Sequence, residues 1–501
     1  MSSIFREYAH SHHKKDEDLS PFTLLPIIHT CRNWRLAAFS VASLWSFIVV
    51  STHPSWTETL LKLSRKEPLI VHAFGPPSQK ASFDQSLKVV LSQFSRVQEI
   101  HLSIPDESIG SFATFFHIPA PLLSVLDINI LGRGVVDIAQ VPETGLCSVK
   151  EISLRNITLP FVHSAMRPTI RRLSFDILAA NEPQDPNFTQ KVLILLEALP
   201  LLQELQIRSD VTSMPTYRRA VTLPHLHRLA LDAHCNILGW LLGCMRFPYQ
   251  ASLLLTCKPW SGHSCVSFIT SVASHLEGYL QQTSATPPLH MHVSPSRAND
   301  FELHVRLWHV RESTSSMPNS SEVPAVDLLI PTNPSPDVDF EKLLHPLPLS
   351  SVQELHFGLA KSIPLSTPSS PFGLLEVSVS SMRELEFLIL DGWPESSVSG
   401  ILEQSTPGEA PESFLFPCLK ELVLRNLQYG CSDPGDTGNS TYKPLWEALQ
   451  SRMKNGSPIR RLALESAIGF FADDVDTLDG VVNGMEFDWD GVEILEQRLG
   501  H

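Results

Sequence analysis

The residues of this chain whose types and spacing could support bond chemistry fall in three places. Around Ser264 the run "WSGHSCV" has the Gly-His-Ser order of a hydrolase nucleophile elbow. That turn needs a second glycine two residues after the serine, so that the backbone can pass tightly. Val266 stands there, and Pro259 interrupts the approach, so Ser264 reads as a structural serine. His234, Cys235, Cys244, Cys257, His263 and Cys265 are metal-ligand types, but their spacing matches no zinc pattern. Cys235 and Cys244 adjoin the apolar run "ILGWLLGCM", where free cysteine packs as a small hydrophobe. "DDVDTLDG" from Asp473 approaches a calcium loop. With Asp474 and Asp476 as the first ligands, Leu478 fills the next ligand slot, Asp479 fills the turn, and Gly480 arrives one residue late. No glycine-rich phosphate loop and no His-Glu-x-x-His pair occurs. The sequence predicts a protein that is not an enzyme and uses no metal or cofactor.

Binding is the remaining class, and composition narrows the partner. The chain has 501 residues, 43% of them hydrophobic, enough to build a large core. Its 53 acidic residues against 38 basic ones leave a net charge of −15. Nucleic acids and anionic membranes need a basic footprint, so neither is expected as a partner. Eight cysteines with no Cys-x-x-Cys pair are the usage of a reduced protein. The opening "MSSIFREYAHSHHKKDEDLS" has no apolar core of a signal peptide. A cytoplasmic or nuclear location is expected.

The elements that would carry binding are visible as a repeated phrase: apolar, two residues, apolar, one residue, apolar. It starts at Val97, Leu123, Val149, Ile170, Leu202, Leu226, Val352, Met382, Leu419 and Ile459. The third position is Glu99, Glu151, Arg172, Glu204, Arg228, Glu354, Glu384, Glu421 or Arg461, with Val125 the exception. Charged residues are 18% of the chain yet fill nine of these ten slots, which chance does not explain. In a strand, alternate side chains face opposite ways. The fourth and sixth positions then point inward and the third points to water. The first six starts are 26, 26, 21, 32 and 24 residues apart, room for one strand and one return segment each. "FDQSLKVVLSQF" and "FTQKVLILLEALP" carry the helical spacing of such returns, with Leu87, Val90, Leu91 and Phe94 on one face of the first, and Val192, Leu195, Leu196 and Leu199 on one face of the second. One such unit cannot hide its apolar face alone; stacking buries it, at about 2 kcal/mol per large aliphatic side chain. The starts at Leu226 and Val352 lie 126 residues apart, and further irregular units joined by long loops are expected between them.

The N-terminal elements differ. From Leu36 to Thr57, 22 residues carry no charge, but serines and His53-Pro54 break the run, so it predicts a short helix, a turn near Ser43 and the strand "FIVV" rather than a membrane span. The segment "LLPIIHTCRNWRLAAFSVASLW" resembles the second half of an F-box: an apolar helix with Leu25 and Ile28, then Cys31, Trp34 and Arg35, then Leu44 and Trp45. Residues 24–74 are similar to the form common in mushroom-forming fungi, where a β-type run, a Trp-led helix (here with Trp56), a short strand and a leucine-rich-repeat-like region follow. The first, Leu-Pro helix of that family is degenerate or truncated here.

The expected fold is α/β. Residues 1–20 read as a disordered N-terminus and 21–75 as a short helical F-box-like segment. Residues 76–470 read as an irregular leucine-rich-repeat solenoid, with loop insertions near 283–300, 311–324, 393–412 and 429–443. Residues 471–501 read as an acidic tail or cap. The resemblance implies a substrate-recognition adaptor of a cullin–RING ubiquitin ligase. Leu25, Ile28, Cys31, Trp34, Arg35, Leu44 and Trp45 would contact the Skp-type linker subunit. An unidentified target protein would meet Glu99, His101, Glu151, Arg172, Glu204, Arg228, Glu354, His356 and Glu384. The alternative is a repeat scaffold for protein interaction without any ligase.

Overall fold

The computed structural model describes residues 25–75, 80–108, 112, 114–132, 146–157, 162, 164–177, 188–211, 219–248, 250–258, 268, 270–274, 289–295, 302–309, 326–331, 349–358, 382–393, 395–403, 414–427, 443–467 and 485–490. They form a mixed α/β protein in two compact units. One runs to Ala233 and takes in Cys244–Pro248; the other holds His234–Gly243 and the described residues that follow 248.

In the first unit, helices α1 (Leu25–Thr30) and α2 (Arg32–Ser40) and one 3-10 turn (Ala42–Trp45) lead into strand β1 (Phe47–Val50), helix α3 (Pro54–Leu63) and strand β2 (Leu69–Phe74). Cys31 caps α2, its Sγ accepting from the Trp34 N–H at 3.4 Å. Helix α4 (Lys80–Leu91) precedes β3 (Val97–Pro105), β4 (Val125–Leu131), β5 (Glu151–Arg155) and β6 (Arg172–Ile177). Helix α5 (Phe188–Glu197), β7 (Glu204–Ser209), β8 (Val221–Thr222) and β9 (Arg228–His234) complete the series, with β10 (Met245–Arg246) pairing β8. β1 to β7 and then β9 form one parallel ladder, each strand beside the next. The repeated phrase sits in register: Ile100, Leu126, Ile152, Leu173, Leu205 and Leu229 line one buried row, and Leu102, Ile128, Leu154, Phe175, Ile207 and Leu231 the next. Parallel neighbours need a crossover, and α4 and α5 supply it with buried Leu87, Val90 and Leu91, and Val192, Leu195 and Leu196.

The second unit begins with α6 (Cys235–Cys244) and β11 (Ser252–Lys258), then β12 (Leu289–Pro295), β13 (Glu302–His309), β14 (Val326–Pro331) and β15 (Val352–Gly358). Strand β16 (Phe387–Asp391), helix α7 (Glu395–Glu403), β17 (Glu421–Arg425), helix α8 (Lys443–Lys454), β18 (Arg461–Glu465) and β19 (Glu486–Trp489) follow. β15 to β19 are a second parallel ladder.

Several expectations need correcting here. Among the described residues, the stretch after Leu226 departs from the strand-and-return series at β12, β13 and β14, which are an antiparallel meander, entered by β11 beside β14 and left by β12 beside β15. Only six residues separate β12 from β13, which permits an antiparallel turn but no crossover. Within the insertion expected near 283–300, the described residues Leu289–Pro295 are a strand, in which Leu289, Met291 and Val293 alternate with His290, His292 and Ser294. Residues 393–412 hold buried Trp393 and helix α7, and the acidic tail holds β19. The insertion expected at 311–324 lies outside the described residues, as does that at 429–443 except for Lys443, which opens α8, and as do residues 1–24.

Two recurrent features accompany the phrase. A turn precedes it, in which the N–H of the first phrase residue bonds to the carbonyl three residues back. It occurs at Leu123, Val149, Ile170, Leu202, Leu226, Leu385 and Leu419. Proline occupies its second place as Pro121, Pro168, Pro200, Pro224 and Pro417, where a fixed φ near −65° presets the turn. After β5, β16, β17 and β18 come Asn156, Gly392, Asn426 and Ser466, with φ of 60°, 75°, 48° and 53°. Each turns the chain off the ladder so that the next residue, Ile157, Trp393, Leu427 or Ala467, enters the core. Glycine and asparagine tolerate that left-handed backbone best.

The turn also corrects one register. Met382 opens it, and Leu385, not Met382, is the first phrase residue. The Glu386 N–H donates to Gln353 and the Lys420 N–H to Glu386, which fixes the frame. The phrase overlaps itself at Leu385, Leu388 and Leu390, and this allowed the wrong start.

Candidate binding surfaces

The residues of the N-terminal helices divide sharply. Ile28, Leu44 and Trp45 are buried, and Trp45 is wholly enclosed. Its indole N–H donates to the Ala38 carbonyl at 2.9 Å, and its ring lies 5.6 Å from Phe39. Cys31 and Arg35 are exposed and Trp34 is half-buried. Arg35 Nε donates to the Ile28 carbonyl at 2.8 Å, tying α2 to α1. Leu36 at 58% and Phe39 at 37% exposure add an apolar surface to this helix that spacing alone did not single out. Leu25 opens α1, and its side chain lies outside the described residues.

Along the first ladder, the third phrase position faces outward as expected. Arg172 lies between Glu151 at 3.3 Å and Glu204 at 3.1 Å, and Arg228 follows Glu204 in register. One row on, His101 Nδ1 is 3.3 Å from Asp127 Oδ2 and its Nε2 is 3.9 Å from Glu99. Burial works against the His101 charge, but the Asp127 and Glu99 carboxylates outweigh it and raise the imidazole to about 9. His101 in turn holds Glu99 low; burial alone would raise Asp127, yet His101 and Ser153 bring it below its usual value. His72 stacks on His101 at 4.4 Å, with Phe47 at 4.8 Å and Phe74 at 6.2 Å from His72. These three rings were missed, although the alternation in "LIVHAF" puts Ile70, His72 and Phe74 on one side.

In the second unit the outward rows differ. Glu384 is exposed in the turn before β16, three residues out of frame, and is not a strand position. Glu354 and His356 are partly buried on β15. Burial, with the Arg425 charge, lowers His356 to about 4. The row continuing from His356 is apolar: Ile389, Val423 and Ala463 form a buried cluster with Phe387 packed against it. Ion pairs flank this cluster, Arg461 with Glu421 at 3.5 Å and Asp488 at 2.8 Å, and Arg425 with Glu465 at 2.6 Å.

A buried cation braces the helices of this unit. Leu445, Ala448, Leu449 and Arg452 share one face of α8, and Arg452 is fully buried. Its guanidinium donates to the carbonyls of Phe416 and Leu402 and lies 4.7 Å over the Phe414 ring. Desolvation lowers it to about 10. It ties the end of α7 and the turn before β17 to α8. Arg452→Met keeps the apolar stem and removes the donors. It is expected to lower the unfolding free energy by about 1–2 kcal/mol in urea titrations. A gain would mean that the cost of burying the charge outweighs the clasp.

Among the described residues no group of three or more His, Cys, Asp and Glu side chains could hold a metal ion. Cys235, Cys244 and Cys257 are buried. Ser264, His263, Cys265 and the acidic run from Asp473 lie outside the described residues. No described helix is long and apolar enough to cross a membrane.

No family model matches the chain and no curated protein does. Among solved structures, the chain is similar to one described as the crystal structure of a TLR13–ssRNA13 complex, at 10% identity and a TM-score of 0.27. That match covers 74% of this chain and 45% of the other.

Proposed function

We propose that this chain is a non-enzymatic recognition subunit of an F-box type ubiquitin ligase, built on an irregular leucine-rich-repeat scaffold. The parallel ladder carries the reading: a rigid core row beneath a polar outer row, strand after strand. Such a surface offers many small contacts to another protein. Its role is to raise the effective concentration of a target beside the ligase. The α2 surface of Cys31, Trp34, Leu36 and Phe39 would meet a Skp-type linker subunit, with Leu44 and Trp45 holding that surface in place from within.

A second reading, a scaffold with no ligase partner, draws on the same ladder and on the burial of Leu44 and Trp45. Capture of the purified linker subunit separates the two. The intact chain is expected to retain it, and Trp34→Ala with Cys31→Asp is expected to lose it while the fold persists. If the intact chain captures none, the scaffold reading stands and the ligase reading falls.

A further inference from the structure

The outer face of the first ladder is not uniform. From β5 to β9 it carries ion pairs, Arg172 between Glu151 and Glu204, and Arg208 on Asp232 at 3.3 Å. From β1 to β4 it carries the ring run Phe47, His72, Phe74 and His101, with Glu99 and Asp127 beside it. Phe74 at 46% and Leu131 at 43% are the large apolar side chains that this face leaves in water among the described residues. Pro105 lies between them. A Cβ on Gly75, next to Phe74, would stand 3.0 Å from Pro105 Cδ, and Pro105 pairs in register with Leu131. Aromatic and apolar anchors clustered beside charged groups are the composition of an interface centre.

Resting on the protein-recognition reading above, we propose that this end of the face docks an extended segment of a partner protein carrying Arg or Lys next to an aromatic or aliphatic residue. The charge argument is local and global. Two carboxylates, Glu99 and Asp127, face one imidazolium, and the chain as a whole carries −15, which steers basic segments toward it and acidic ones away. A guanidinium can lie against the exposed Phe74 ring and the half-buried imidazoles beside it while its N–H groups reach the carboxylates. The neighbouring apolar residue covers Phe74, Pro105 and Leu131. The corresponding row of the second unit runs through the closed cluster Ile389, Val423 and Ala463 before it reaches Asp488, and those three residues carry no ring.

Panning a phage library of random twelve-residue peptides on the intact chain tests this. Enriched peptides are expected to be basic with an adjacent aromatic or aliphatic residue. Synthetic copies are expected to bind at least about tenfold more weakly to Phe74→Ser/Leu131→Ser and to Glu99→Gln/Asp127→Asn. Ile194→Ser, an exposed change on α5, is the control and should leave binding intact. Acidic winners, or no enrichment, overturn the proposal. Peptides that bind all variants equally also overturn it, but leave a protein-recognition role standing elsewhere on the chain.

Discussion

Trp45→Ala is expected to remove about 3–5 kcal/mol of stability, among the largest losses any single side chain here can cause. Trp45 is fully enclosed between the end of α2 and the start of β1, with Ala38, Leu44 and Ile48 also buried. Its deletion leaves a cavity that short, well-anchored elements cannot collapse into. The Ala38 carbonyl also loses its indole donor. Trp45→Phe refills most of the volume and loses the hydrogen bond, so about 1–2 kcal/mol is expected. Trp34→Ala, on the half-buried side of the same helix pair, should cost about 1 kcal/mol or less. The order Trp45→Ala, Trp45→Phe, Trp34→Ala in thermal melts checks the assignment. If Trp45→Ala melts with Trp34→Ala, the enclosed site is wrong. The same series separates two ways of losing a partner: Trp45→Ala through the fold, Trp34→Ala through the surface.

What could be read in the sequence follows from which interactions are local. The phrase starting at Val149 announces its strand because Ile152 and Leu154 must both be buried and Glu151 must not, a pattern fixed by the pleat alone. Helices α4 and α5 were legible for the same reason, from the spacing of their buried leucines. The meander β12–β14 was not, because pairing direction depends on connection length and partner rather than on alternation. Glu384 was misplaced because the phrase fits two frames around Leu385, and only the turn from Met382 decides between them. The third-position charges were legible, but the ring run was not. Phe47 and His101 meet across His72 only once β1, β2 and β3 lie side by side. Arg452 carried a sequence signal, its place two helical turns after Leu445, that points opposite to the usual fate of arginine.

The two ladders should respond to pH in opposite directions. His101 is raised above its unfolded value of 6.5 to about 9. The stability it contributes is therefore complete below pH 6.5 and lost as pH rises through 9. His356 is lowered to about 4. Its contribution is complete above pH 6.5 and lost as pH falls toward 4. Each displacement corresponds to about 3 kcal/mol before solvent screening, and about half that for groups in partial contact with water. The groups that set the two are distinct: Asp127 and Glu99 around His101, and burial with the Arg425 charge around His356. Hydrogen-exchange mass spectrometry at pH 5, 7 and 9, corrected for intrinsic exchange, reads the ladders separately. Protection of β2–β4 is expected to fall from pH 7 to 9, and protection of β15–β17 from pH 7 to 5. His101→Asn should flatten the first response and His356→Leu the second, each leaving the other in place. A β2–β4 response that survives His101→Asn would remove the imidazolium from the account. It would leave the Glu99–Asp127 pair facing solvent without its counter-ion, a more acidic surface than the one described.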